Sequence, residues 1–145
     1  MLVDIGHTQI TTRLLEGEFF KYRSTLSGEF TTTSQTPVVP FESSIERASL
    51  LAQSKNNQIK FTIEEGHISI TANSDMGDFY EEIPSSIDGK NLEIAFNAKY
   101  FIDSLKNIDD EYVSLNFNSA VSPCIIKPVD GDAYTYLILP VRLFN

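Results

Sequence analysis

Acidic residues are the first candidates for chemistry in this sequence. Asp78, Glu81 and Glu82 stand close together, and Asp109, Asp110 and Glu111 form a second run. Two carboxylates flanking a substrate can share acid and base work across a glycosidic or similar bond, given a cleft that holds it. The first set lies in a strand-like stretch, which puts Asp78, Tyr80 and Glu82 on one face and Phe79, Glu81 and Ile83 on the other. An acid on each face also fits an edge strand charged against aggregation, so a binding role and a protective one both stand. The second run follows a helix end, where acids gain nothing from the dipole, and it reads as a solvated turn.

The remaining reactive residue types are sparse. His7 and His67 each sit beside a glycine turn, with no neighbouring cysteine or second histidine, so metal-ligand spacing is missing. Cys124 is the single cysteine; it cannot bridge within the chain, and nothing points to an oxidising compartment. The seven glycines are too widely spaced to build a phosphate-cradling loop. No cofactor and no catalytic residue is therefore expected.

The elements that would position these residues follow from composition and pattern. The chain has 145 residues, 41% hydrophobic and 21% charged, enough for one good core. Its formal net charge of -9 disfavours any partner held by bulk electrostatic attraction, nucleic acid above all. No apolar run approaches the ~20 residues a membrane-spanning helix needs. The N-terminus carries Asp4 where a secretory signal would carry basic residues and then an unbroken apolar stretch. These features predict a soluble, unsecreted, cytoplasmic protein.

Leu2 to Ile5 and Thr8 to Leu15 read as a hairpin around Gly6-His7, and residues 16–30 as an ordered connector rich in Phe and Tyr. After a weak strand over Thr31 to Gln35, Thr36-Pro37 gives a hydroxyl cap and a first-turn proline. Val38, Phe41, Ile45, Ala48 and Ala52 then define one face of a helix over 37–53. Strands are expected at Gln58 to Glu64, His67 to Asn73 and Phe79 to Ile83, with a turn at Asp88-Gly89. Asn91 to Phe96 alternates again, and Asn97 can cap a second helix from Ala98 to about Asn107. Strands at Tyr112 to Asn118, Cys124 to Val129 and Tyr134 to Leu139 complete the chain. The order is a doublet of βαβββ units: an α+β domain with two helices against antiparallel sheet.

Two features depart from a plain globular pattern. Leu50 points nearly opposite the buried helix face and Leu51 about a quarter turn from it; beside Arg47 they form either a partner patch or incidental exposure. The C-terminal run YTYLILPVRLFN is apolar where chain ends are usually polar, so it either completes the core or lines a groove.

Four segments in order, RLLEGEFFKYRSTL (13–26), IERASLLA (45–52), LEIAFNAKYFIDSLKNI (92–108) and YLILPVRL (136–143), together resemble the bacterial DNA sliding clamp, the β subunit of DNA polymerase III. Clamps of this family have three domains of one topology, and two subunits close head to tail into a ring around DNA. The resemblance implies that residues 1–15 are the last hairpin of the middle domain, 16–30 an interdomain connector and 31–145 the C-terminal domain. Family members stop just beyond LPVR, which implies a natural C-terminus. It implies a hydrophobic groove that receives short peptides from polymerase, clamp loader and repair proteins. That groove would use Leu137, Ile138, Leu139, Pro140, Val141 and Arg142, with Pro123 beside them, Phe20, Ser24 and Thr25 from the connector and Asn56 at the rim. Phe20 stands where the family usually has Pro, and Ser24 where some members carry Arg, which alters the peptide preference.

The same resemblance assigns Arg47, Leu50, Leu51, Asp78, Glu81 and Glu82 to the subunit interface, and Lys99 and Lys106 to a face that meets DNA phosphates without reading bases. Two exposed lysines on a solvated face remain the alternative. The missing domains imply a monomer with weak peptide binding. A ring holds DNA topologically, so the charge of -9 no longer argues against it. A small hydrolase using Asp78, Glu81 or Glu82, and a generic interaction module, are the other functional readings.

Overall fold

The computed structural model describes residues 1–14, 16–17, 29–53 and 57–142. The expected hairpin is present in shortened form: β1 (Leu2–Asp4) pairs with β2 (Gln9–Thr11) in a two-stranded sheet. Asp4 closes its turn by accepting from Gln9 Nε2 and Gly6 N, both at 2.9 Å, and these bonds hold its carboxyl below the usual range.

The domain that follows consists of β3 (Thr32–Pro37), α1 (Val38–Ala52), β4 (Gln58–Glu64), β5 (His67–Ser74), β6 (Gly77–Pro84), β7 (Ser86–Gly89), β8 (Leu92–Asn97), α2 (Ala98–Leu105), β9 (Tyr112–Phe117), β10 (Cys124–Pro128) and β11 (Tyr136–Ile138). All pairings are antiparallel. The strands form two sheets, ordered β11-β10-β9-β3-β7 and β6-β5-β4-β8. The fold is α+β, as expected, with the two helices packed on each other and against both sheets.

Three local expectations are corrected. Asp88-Gly89 is the end of a strand, β7, and not merely a turn: it pairs with β3 in the register Thr32↔Gly89, a partner no local pattern reveals. Gly89 has φ +120°, and a Cβ there would stand 2.1 Å from the Thr31 carbonyl oxygen, so only glycine lets the two strands meet so closely. The weak strand is in fact the interior strand β3, flanked by β9 and β7, whose buried residues Thr32, Ser34 and Thr36 lack apolar bulk. Thr36 does not cap α1. Its hydroxyl lies 3.0 Å from that of Ser34, Pro37 still pairs with Tyr112, and the helix's first N–H donates instead to the Glu111 carbonyl at 3.0 Å. The cap of α2 is as expected, Asn97 Oδ1 accepting from Lys99 N at 3.0 Å.

One core serves both halves of the domain. Phe41 on α1, Phe61 on β4, Phe96 on β8 and Phe101 on α2 are fully buried. Their ring centroids lie 4.9–6.0 Å apart in tilted and edge-to-face arrangements. Cys124 is buried beside Ile126 and Ile138, and that burial pushes its thiol pKa far up. Among the described residues no helix is long and apolar enough to cross a membrane.

Candidate functional site

The apolar C-terminal run forms a strap across one end of the domain. β11 is the outer edge of the five-stranded sheet and pairs only with β10, in the register Cys124↔Ile138 and Ile125↔Leu137. One step further along this register, Leu139 comes opposite Pro123. Pro140 has no N–H, so the ladder stops there. The chain crosses to the other sheet, where Val141 N donates to Ala95 O of β8 at 2.8 Å. The strap thus ties the edges of both sheets together.

Strand alternation divides the six consecutive residues expected to line a groove. Ile138 turns inward and is 3% exposed, so it is a core residue and not an open groove wall. Leu137 lies on the opposite face beside Ile125, and Leu139, on the same side, is 64% exposed. Pro123, Pro140 and Val141 are half-buried and Arg142 is exposed. Phe20, Ser24, Thr25 and Asn56 lie outside the described residues. The sequence reading missed Ala95. Its small side chain, between Glu93 and Asn97 on the non-core side of β8, is the signal that the strap passes there.

A second set lies along α1 and β6. Leu50 is 69% exposed and Leu51 half-buried, in the orientations the helical spacing predicts. The edge position of β6 is also as predicted. Glu81 is paired within the chain. Both its oxygens accept from Arg47 NH2, at 2.6 and 2.7 Å, which holds its carboxyl below the usual range. The buried Ser44 hydroxyl has no hydrogen-bond partner among the described residues. Glu82, on the other face, accepts from the Tyr80 hydroxyl, and Asp78 is exposed near the start of β6. Asp78 and Glu82 share one face of β6, four residues apart, while Glu81 lies on the other. Neither of two surface clefts is lined by them: one lies between Gln35, Tyr112 and Val129, the other between Ser43, Leu50 and Ile102.

The two lysines differ. Lys99 is exposed, without an ion-pair partner among the described residues, whereas Lys106 follows the last residue of α2 and reaches Glu46 Oε1 at 3.1 Å. Both lysines are exposed, as expected, and among the described residues Lys106 also ties α2 to α1 through its ion pair.

The doubled βαβββ unit agrees with the fold that the sequence resemblance implies. A family model described as DNA polymerase III beta subunit, C-terminal domain, matches residues 23–142. The chain belongs to the DNA polymerase III β subunit family. Curated relatives of the family, each a beta sliding clamp, include those of Synechocystis, 32% identical over the whole chain, and Staphylococcus epidermidis, 34% identical over 99% of it. A solved structure of a putative DNA polymerase III β subunit from Eubacterium rectale matches with a TM-score of 0.86 and 36% identity over 98% of the chain. The Thermotoga maritima β subunit matches with a TM-score of 0.85 and 32% identity over 91%. In each comparison the chain spans under two fifths of the other protein: 38% and 39% of the curated relatives, 39% and 36% of the structures.

Proposed function

We propose that this chain is the C-terminal part of a ring-shaped, non-catalytic processivity clamp for bacterial DNA replication, working in the cytoplasm. Residues 31–145 form the last clamp domain, 16–30 the connector, and 1–15 the end of the middle domain. The observation that carries the reading is the strap: an apolar C-terminal segment, sutured to both sheets, that leaves Leu139 exposed within a chain of the sliding-clamp family.

Leu137, Leu139, Pro123, Pro140 and Val141 supply an apolar wall for peptide anchors, with Arg142 as a polar terminus and Ile138 fixing the wall from inside. Phe20, Ser24, Thr25 and Asn56 are assigned to the rest of the groove. Burying ~100 Å² of apolar surface on Leu139 contributes ~2.5 kcal/mol before ordering costs. A polypeptide of residues 1–145 alone binds peptides of polymerase, clamp loader and repair proteins more weakly than a whole clamp does, because most of a clamp's middle domain lies outside the length it matches. Leu50 and Leu51, with Arg47, Glu81, Glu82 and Asp78 around them, form the subunit interface of the full-length head-to-tail dimer. A polypeptide of residues 1–145 on its own stays monomeric, since that contact is heterologous and joins it to a different domain of the second subunit. Lys99, with Lys106 behind it, faces the DNA backbone without reading sequence.

Fluorescence anisotropy with a labelled Gln-Leu-x-Leu-Phe peptide tests the groove. Saturable binding at high micromolar to millimolar concentration, weakened about tenfold or more by Leu139→Ser, is the expected outcome. Equal affinity of the variant would remove the strap from the site.

A further inference from the structure

The strap has a visible anchor at its downstream end, Val141 to Ala95, and β11 itself is held by three residue pairs to one neighbour. Upstream, residues 129–135 form a loop through Gly131 at φ +82°. Among the described residues of this loop, Tyr134 makes the one side-chain hydrogen bond. Its hydroxyl donates to Asp110 Oδ2 at 2.6 Å. The ring packs against the core and lies 5.7 Å from the ring of Tyr136, the first residue of β11. Partial burial, then the carboxylate beside it, push the Tyr134 phenol well above its ordinary pKa, so it stays a donor.

Asp110 belongs to the acidic run that the sequence pattern assigns to a solvated turn, yet its position is fixed. The next residue, Glu111, accepts the first N–H of α1 at 3.0 Å, and Tyr112 begins β9 opposite Pro37. The carboxylate is therefore presented from the rigid part of the domain. A tyrosine bonded to it transmits that rigidity to the segment entering β11.

We infer that Tyr134 and Asp110 are a positioning pair for the peptide groove, their hydrogen bond fixing the upstream end of β11 so that Leu137 and Leu139 stand at a set height. The inference rests on the groove reading above. Tyr134 and Asp110 do not touch the peptide; they act through the strand. The bond carries an ionised acceptor in a partly exposed place, which sets the expected effect at about threefold to tenfold.

The test combines residue-resolved amide exchange with the peptide titration, for Tyr134→Phe, Asp110→Ala and Asp110→Asn in the whole chain. Tyr134→Phe and Asp110→Ala are expected to speed exchange in β11 about threefold to tenfold relative to β4 and β5, and to weaken the peptide by a similar factor. Asp110→Asn keeps an acceptor oxygen and should restore most of both. Unchanged β11 exchange in the first two variants overturns the pair, as does a uniform rise across both sheets or faster β11 exchange with unaltered affinity. If the unmodified chain binds no peptide, the groove reading fails on that result, and the positioning role for the groove falls with it. The exchange measurement then reports separately whether the bond holds β11.

Discussion

The two halves of the domain start alike and end differently. Each runs strand, helix, hairpin, with helix starts at Val38 and Ala98, sixty residues apart. The first half has a helix of 15 residues and hairpin strands of seven and eight; the second has a helix of 8 and strands that shorten to the three of β11. In the first half the chain goes on from the charged edge β6 into β7, which pairs with the interior strand β3 of the other sheet. In the second half the last ladder is cut short by Pro140, and apolar residues that would be covered in a longer sheet remain at the surface. The same unit thus makes a finished wall in one copy and an unfinished one in the other, and the proposed peptide groove lies at the unfinished one.

The comparison breaks first if the halves are not one cooperative body. Phe61→Ala removes the ring at the centre of the shared aromatic cluster, and a loss of about 3–5 kcal/mol is expected. Urea denaturation followed by fluorescence and by circular dichroism should give a single coincident transition. Separate transitions would divide the halves.

Neighbouring residues of the strap sharpen the contrast between core and wall. Ile138→Ala should cost about 2–4 kcal/mol, because its side chain is buried against Cys124. Leu139→Ala should change stability by under about 0.5 kcal/mol, its side chain being exposed. Similar losses for both would mean that the alternation assigned to β11 is out of register.

The smallest effect belongs to the finished wall. Arg47→Ala should lose about 0.2–1 kcal/mol near neutral pH, and less in high salt, since the pair with Glu81 is partly exposed. Glu81 has a depressed folded pKa, so its contribution is present above its unfolded value of about 4.3 and fades as pH falls through the folded one. Denaturation curves of the variant and the unmodified chain should therefore converge in acid. A difference that grows in acid contradicts the pairing.

Much of this architecture is legible in the sequence where a local period carries it. The faces of α1, the Asn97 cap, the hairpin β4–β5 and the outward Leu50 all follow from spacing. What escapes is long-range. Ser86–Gly89 looks like a turn because its strand partner lies more than fifty residues upstream, and β3 looks weak because hydroxyls, not hydrocarbons, fill its buried positions. Within the site, the apolar strap is evident from composition. That Ile138 faces in while Leu139 faces out depends on which residue of β10 it meets. The pairing of Glu81 with Arg47 also escapes, because the two are 34 residues apart on different elements.

The central claim is that the unfinished edge, and not the finished one, receives partner segments. Its most direct test is a two-dimensional NMR titration of the isotopically labelled chain with the Gln-Leu-x-Leu-Phe peptide. The account predicts saturable shifts at Leu137, Leu139, Val141 and Arg142, with β6 and the outer face of α1 unmoved. Shifts centred on Leu50 and Glu81, or none at millimolar peptide, would contradict it.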